Sequence, residues 1–133
     1  MEKVNNFQQK ISLLKAARLQ ILSLHKALLD LERDNYEKVN GALTSGQFLN
    51  LLINDLQFQW LRKFSTLIVE IDEMLSLNDG FTENMIDRYI SQMHKLIDLD
   101  SMDNDFKEKY VSFLHGNIGI ARKHNVLLDL LTK

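Results

Sequence analysis

The sequence predicts an all-α protein: an antiparallel up-down four-helix bundle with a long first helix and a short extra helix between helices one and two. Three observations carry that expectation. None of the 133 residues is proline, so nothing forbids long uninterrupted helices. Apolar residues recur three and four apart in every major segment, the spacing that lines one side of an α-helix. No apolar run alternates residue by residue in the manner of a half-buried strand.

Helix one is expected from about residue 3 to 38, where Leu14, Ala17, Ile21, Leu24, Leu28 and Leu31 form a seam for partner helices. At roughly 1.5 Å per residue it would span on the order of 50 Å. A compact domain of this size needs less, so its ends are expected to project or to meet a second subunit. The pattern stops near Gly41. "GALTSGQ" then supplies glycine and Ser/Thr caps ahead of a short apolar turn, Phe48 to Ile53. Asn54 and Asp55 offer a cap to helix two, expected from 56 to about 77. Its main seam is Trp60, Phe64, Leu67, Ile71 and Met74, flanked by Leu61, Ile68 and Leu75. "LNDG" at 77 to 80 closes it. Thr82 and Glu83 open helix three, the shortest, which carries Ile86, Ile90, Met93 and Ile97 to about residue 98. After the polar joint "DLDSMDND", one helix four is expected from about 104 to the C-terminus. Its seam is Phe106, Tyr110, Phe113, Asn117, Ile120, His124, Leu127 and Leu131. With no repeat, low-complexity segment or linker, residues 1 to 133 read as one domain.

Composition narrows the function classes. The absence of cysteine excludes thiol nucleophiles, Cys-based zinc sites, iron–sulfur clusters and disulfides, and it points to a reducing cytoplasm. No stretch approaches the ~20 apolar residues of a membrane span, and the first residues lack the apolar core of a secretory leader. A cytoplasmic protein that does not engage a membrane is therefore expected. A net charge of −2, from 16 basic and 18 acidic residues interspersed along the chain, leaves no footprint for a polyanion. Nucleic acid is not an expected partner. The basic pairs Arg62–Lys63 and Arg122–Lys123 read as solvated helix faces.

Catalytic machinery is not visible. Ser23, Ser65 and Ser112 lie on helices without the sharp turn that exposes a nucleophile, and there is no glycine-rich phosphate loop. "HGNIG" contains a GxxG spacing but has no strands around it to suggest an RNA-binding KH module. There is no Glu-x-x-His of the di-iron carboxylate bundles, and four histidines are too few for a hemerythrin-type centre. His94 and Asp98, one turn apart, read as an exposed pair. Neither an enzymatic activity nor a cofactor is predicted.

Polar residues nonetheless interrupt the seams. A second stripe on helix one runs Arg18, Leu22, His25, Leu29, Glu32 and Tyr36. Helix two places Ser65 and Asp72 beside its leucines, and helix four carries Asn117 and His124. Buried polar groups need partners, which leaves two readings. In the stronger one they pair across helices and fix the register of the bundle. In the alternative, His25, Glu32, Asp72 and His124 line a ligand or metal site with Tyr36 and Asn117 in support. His25 and Glu32 stand two turns apart, about 10 Å along the axis, so they cannot both ligate one ion.

Residues 48 to 75 are too densely apolar for one buried face. Phe48, Leu52, Phe58 and Trp60 are the candidate interface, unless the segment before residue 54 folds over the bundle as a lid and buries them. The predicted function is a non-enzymatic protein–protein interaction or regulatory module, a homodimer or the partner of another protein. The alternative is a ligand- or metal-binding bundle with a polar site in its core.

The stretches "LHKALLDLERDNYEKVNG" and "FLNLLINDLQFQWLRKFSTLIVEIDE" resemble a set of uncharacterised small bacterial all-helical proteins. These share H-x-x-LL-D-x-ER-x-x-YE and D-x-x-F-x-WLR-x-x-S-x-LI-x-x-IDE patterns and carry no established activity. The resemblance covers residues 24 to 75. It implies a bacterial cytoplasmic protein and marks His25, Asp30, Glu32, Arg33, Tyr36, Asp55, Trp60, Arg62 and Asp72 as matching the shared pattern.

Overall fold

The computed structural model describes residues 2–100 and 104–132, and among these there is no strand. The helices are α1 (Glu2–Asn40), α2 (Ser45–Asn54), α3 (Leu56–Gln59), α4 (Arg62–Leu75), α5 (Glu83–Ile97), α6 (Asn104–Gly116) and α7 (Ile118–Leu131). Residues 101–103 of the polar joint before α6 lie outside the described residues. No helix among the described residues is long and apolar enough to cross a membrane.

Local chemistry explains the boundaries. α1 stops at Gly41, whose φ of 88° is a left-handed value that costs glycine little, and whose N–H bonds to the carbonyl of Glu37 at 2.8 Å. Thr44 then opens α2 with a capping box. Its Oγ1 accepts from the backbone N–H of Gln47 at 3.2 Å, and its own N–H donates to Gln47 Oε1 at 3.0 Å. The expected short apolar turn is thus a ten-residue helix. Thr82 caps α5 by accepting from the N–H of Met85.

Two expected helices are each broken in two. Helix two divides into α3 and α4 around Trp60 and Leu61, whose backbone angles stay near the right-handed helical region. There the hydrogen bonds tighten to a spacing of three, from Leu61 N–H to Phe58 O and from Phe64 N–H to Leu61 O. Because the dihedrals barely change, the apolar periodicity runs through the joint without a visible gap. Helix four divides at Asn117, which is extended at φ −147° and ψ 114° and accepts from the N–H of Ile120 through its Oδ1. Asn117 is therefore the N-cap of α7 and not a member of a seam, a role that suits asparagine better than a helix interior does.

α1 is the spine of the core. Leu14, Ala17, Ile21, Leu24 and Leu28 are fully buried along one face, and α4, α5 and α7 all pack on this helix. Phe64, Leu67, Ile71 and Met74 from α4, Ile86, Met93 and Ile97 from α5, and Ile120 and Leu127 from α7 complete one connected core. α6 packs on α7 and contributes Phe106, Tyr110 and Leu114. The ring of Trp60 meets Phe106 and Phe113 edge-on at 5.8 and 5.3 Å, a favoured aromatic geometry that ties α6 to the turn between α3 and α4. Arg18 of α1 bonds to Asp72 late in α4, whereas Glu32 of α1 bonds to Trp60 just before α4 begins. The two helices therefore run in opposite directions.

Candidate functional site

Each polar residue of the seams has its own surroundings. Glu32 is only 5% exposed. Its Oε2 accepts from the indole N–H of Trp60 at 2.9 Å, and its Oε1 accepts from the side-chain amide of Gln57 at 2.9 Å. α3 is the short element that supplies both donors, and Asp55 fixes it by accepting from the backbone N–H of Gln57 at 2.8 Å. Asp72 receives Arg18 on both carboxylate oxygens, with Nη2 to Oδ2 at 2.9 Å and Nε to Oδ1 as the second arm. This charge-assisted fork, foremost through its hydrogen bonds, holds the Asp72 carboxyl below its usual range and raises Arg18.

His124 and Tyr110 are both buried, with Nδ1 and Oη 2.7 Å apart. Burial pushes the phenol up and the imidazole down, since both charged forms are penalised away from water. Oη of Tyr110 and Nδ1 of His124 share one hydrogen bond, its direction set by the tautomer of the imidazole. His25 is half-buried and stacked on Phe64 with ring centroids 6.0 Å apart, and burial lowers its pKa. It faces a cleft of about 120 Å³ lined also by Leu29, Leu52, Arg62 and Ser65. Tyr36 packs on Phe58 at 5.9 Å.

His25, Glu32, Asp72 and His124 are accordingly not brought together, since each has different immediate partners. Among the described residues no three His, Asp or Glu side chains are grouped closely enough to hold a metal ion. The partners that sequence reasoning did not pair with them are Gln57, Tyr110 and Phe64. Phe64 and Tyr110 stand in the seams, but periodicity does not pair them with these residues, because the contacts link segments 14 to 39 positions apart.

The candidate interface residues divide in an informative way. Phe58 and Trp60 are buried in the chain's own core, at 1% and 9% exposure. Phe48 and Leu52 are partly buried against it. Phe48 lies 5.7 Å from Phe58 and beneath the guanidinium of Arg33, which stands 4.5 Å from its ring centre. α2 thus lies over the core with these residues inward, and the aliphatic residues left outside are Leu49, Ile53 and Leu56, exposed by 58%, 56% and 78%. Leu49 and Ile53 lie four apart on one side of α2, and Leu56 opens α3 beyond the extended Asp55. α2 itself contains no charged residue.

No family model, no curated protein and no solved structure matches this chain. The resemblance to small bacterial helical proteins brought no established activity, and these comparisons add none.

Proposed function

We propose that this protein is a non-enzymatic interaction module of the cytoplasm, built as an up-down arrangement of α1, α4, α5 and α7, which pairs with a second copy of itself through the outer face of α2 and α3. The observation that carries this reading is the exposure of Leu49 and Ile53 on α2 and of Leu56 at the start of α3. Covering a large aliphatic side chain is worth roughly 1.5–3 kcal/mol, and exposed apolar surface of this kind is what interfaces cover. A second copy suits the face because an isologous contact sets the same patch against itself, and an uncharged helix meets its twin without like-charge repulsion. The length of α1 supports the same reading, since its 39 residues outrun the helices of 14 or 15 residues packed on it.

The internal partners of Glu32, Asp72 and His124 favour structural pairing for these residues over a shared ligand site. The test is sedimentation velocity across micromolar to submillimolar protein. A dimer is expected for the natural chain, and Ile53→Glu and Leu56→Glu are expected to convert it to a monomer while the far-ultraviolet circular dichroism stays unchanged. A monomer at every concentration, or a dimer indifferent to both substitutions, overturns the proposal.

A further inference from the structure

Of His25, Glu32, Asp72 and His124, only His25 lacks a polar partner among the described residues. Glu32, Asp72 and His124 each hydrogen-bond within the chain. Neither ring nitrogen of His25 does so among the described residues, and its contact is the stacked ring of Phe64.

The cleft that His25 faces has a volume of about 120 Å³. His25 and Leu29 stand one turn apart on α1, Leu61 and Ser65 stand one turn apart at the head of α4, and Leu52 closes the side toward α2. Phe58 of α3 completes the apolar lining. Arg62 holds the α2 wall in place, because its Nη2 donates to the carbonyls of Leu52 and Ile53.

Two acceptors open on this space. Burial lowers the pKa of His25, so at neutral pH the imidazole is uncharged and one of its nitrogens is a bare acceptor. Ser65 directs its proton to the carbonyl of Arg62 at 3.2 Å, which leaves its Oγ able to accept as well. Size narrows the occupant further. An apolar cavity of about 150 Å³ holds benzene, and sites for drug-sized ligands begin near 300 Å³, so this cleft matches a single ring.

Water would meet the acceptors and leave Leu29, Leu52, Phe58 and Leu61 wet. A bare hydrocarbon would cover those side chains and leave the imidazole nitrogen unpaired, which is costly. One ring with one hydroxyl does both. The rings of His25 and Phe58 in the walls favour a flat aromatic partner, which they meet by edge or by offset face.

We propose that this cleft binds a small phenol, an aromatic ring laid among Leu29, Leu52, Phe58 and Leu61 whose hydroxyl donates to the imidazole of His25. None of Leu49, Ile53 and Leu56 lines the cleft, so this inference and the dimer stand or fall separately.

The experiment titrates phenol into the full, isotope-labelled chain at neutral pH and follows the backbone amides by nuclear magnetic resonance. Toluene, with the same size and no hydroxyl, and cyclohexanol, with the hydroxyl and no aromatic face, are titrated beside it. Saturable shifts are expected for phenol, largest at the amides of the cleft residues, with both controls about tenfold weaker or more. This comparison uses the natural chain and needs no variant. His25→Leu keeps the apolar bulk and removes the acceptor. It is expected to weaken phenol by about tenfold while toluene binds as before, a split that general loosening of the fold does not produce. Leu52→Trp, at a partly buried position on α2, fills the cleft and is expected to abolish binding of both. Absence of saturation overturns the proposal, as do shifts centred away from the cleft and binding of toluene or cyclohexanol equal to that of phenol. Phenol binding unchanged in His25→Leu overturns it as well.

Discussion

The indole nitrogen of Trp60 donates to Oε2 of Glu32 across 2.9 Å, and both residues are buried. With the amide of Gln57 on the other oxygen, one carboxylate ties α1 to the α3 segment through two neutral donors. Glu32→Ala strands both donors. At about 1–3 kcal/mol for each unsatisfied group, the melting temperature should fall by on the order of 10 °C. Glu32→Gln should cost less than half as much, because its oxygen can still serve Trp60 while the amide of Gln57 turns over to accept from the new one. Thermal unfolding followed by circular dichroism separates the two variants, and equal losses would show that the carboxylate is not the acceptor.

Arg18 and Asp72 form a two-armed ion pair that links α1 to α4, but both side chains are partly exposed. A double-mutant cycle with Arg18→Ala and Asp72→Ala should return a coupling of about 1 kcal/mol or less, shrinking as salt is added. The pH dependence has a definite sign. Asp72 is held below its ordinary value of 3.8, so its contribution is complete above that value and is lost as pH falls through the lower value of the folded state. Asp72→Asn should therefore flatten only the acid limb of a stability profile.

His124 and His25 act at milder pH. Burial lowers both from their ordinary 6.5, so protons bind the unfolded chain more readily than the folded one. The associated stability is present above about 6.5 and declines as pH falls below it. Melting temperatures measured from pH 7.5 down to pH 5 should drop in the natural chain and drop less in His124→Gln. In the double variant with His25→Gln they should be nearly level. Tyr110→Phe, which leaves Nδ1 of His124 without its hydrogen-bond partner, should cost about 1–3 kcal/mol at pH 7.5 while keeping the slope.

Two glycines should respond to alanine with opposite signs. Gly41 has a φ of +88°, and an added Cβ there would meet nothing within 4 Å, so Gly41→Ala should destabilise by about 1–2 kcal/mol through backbone strain alone. Gly46 sits within α2 with equally open space around it. Gly46→Ala should stabilise by roughly 0.5 kcal/mol, because alanine gives up less backbone freedom in a helix. Chemical denaturation of both variants checks the pair.

The contrast between Leu28 and Asn117 shows what the amino-acid order discloses and what it hides. Leu28 belongs to a seam repeated over five turns, and burial follows its phase. Asn117 fits the next seam by spacing but is a cap, because a single extended residue can break a helix without disturbing the phase of its neighbours. Trp60 and Phe58 were legible as unusual, yet their direction was not. Whether an aromatic faces inward depends on where α3 lands against α1, which is decided by the contact between Glu32, Gln57 and Trp60.

The role of α1 as common spine has a consequence for biosynthesis. Lys123 of α7 reaches Ser23 of α1 across 100 positions at 2.6 Å, and α7 covers the same helix that α4 and α5 cover. While the chain is being made, the apolar face of Leu14, Ile21, Leu24 and Leu28 precedes every helix that covers it, and its cover is complete only with α7. Until α4, α5 and α7 have all followed α1 out of the ribosome, part of that aliphatic seam stays uncovered, and closure of this core waits for α7.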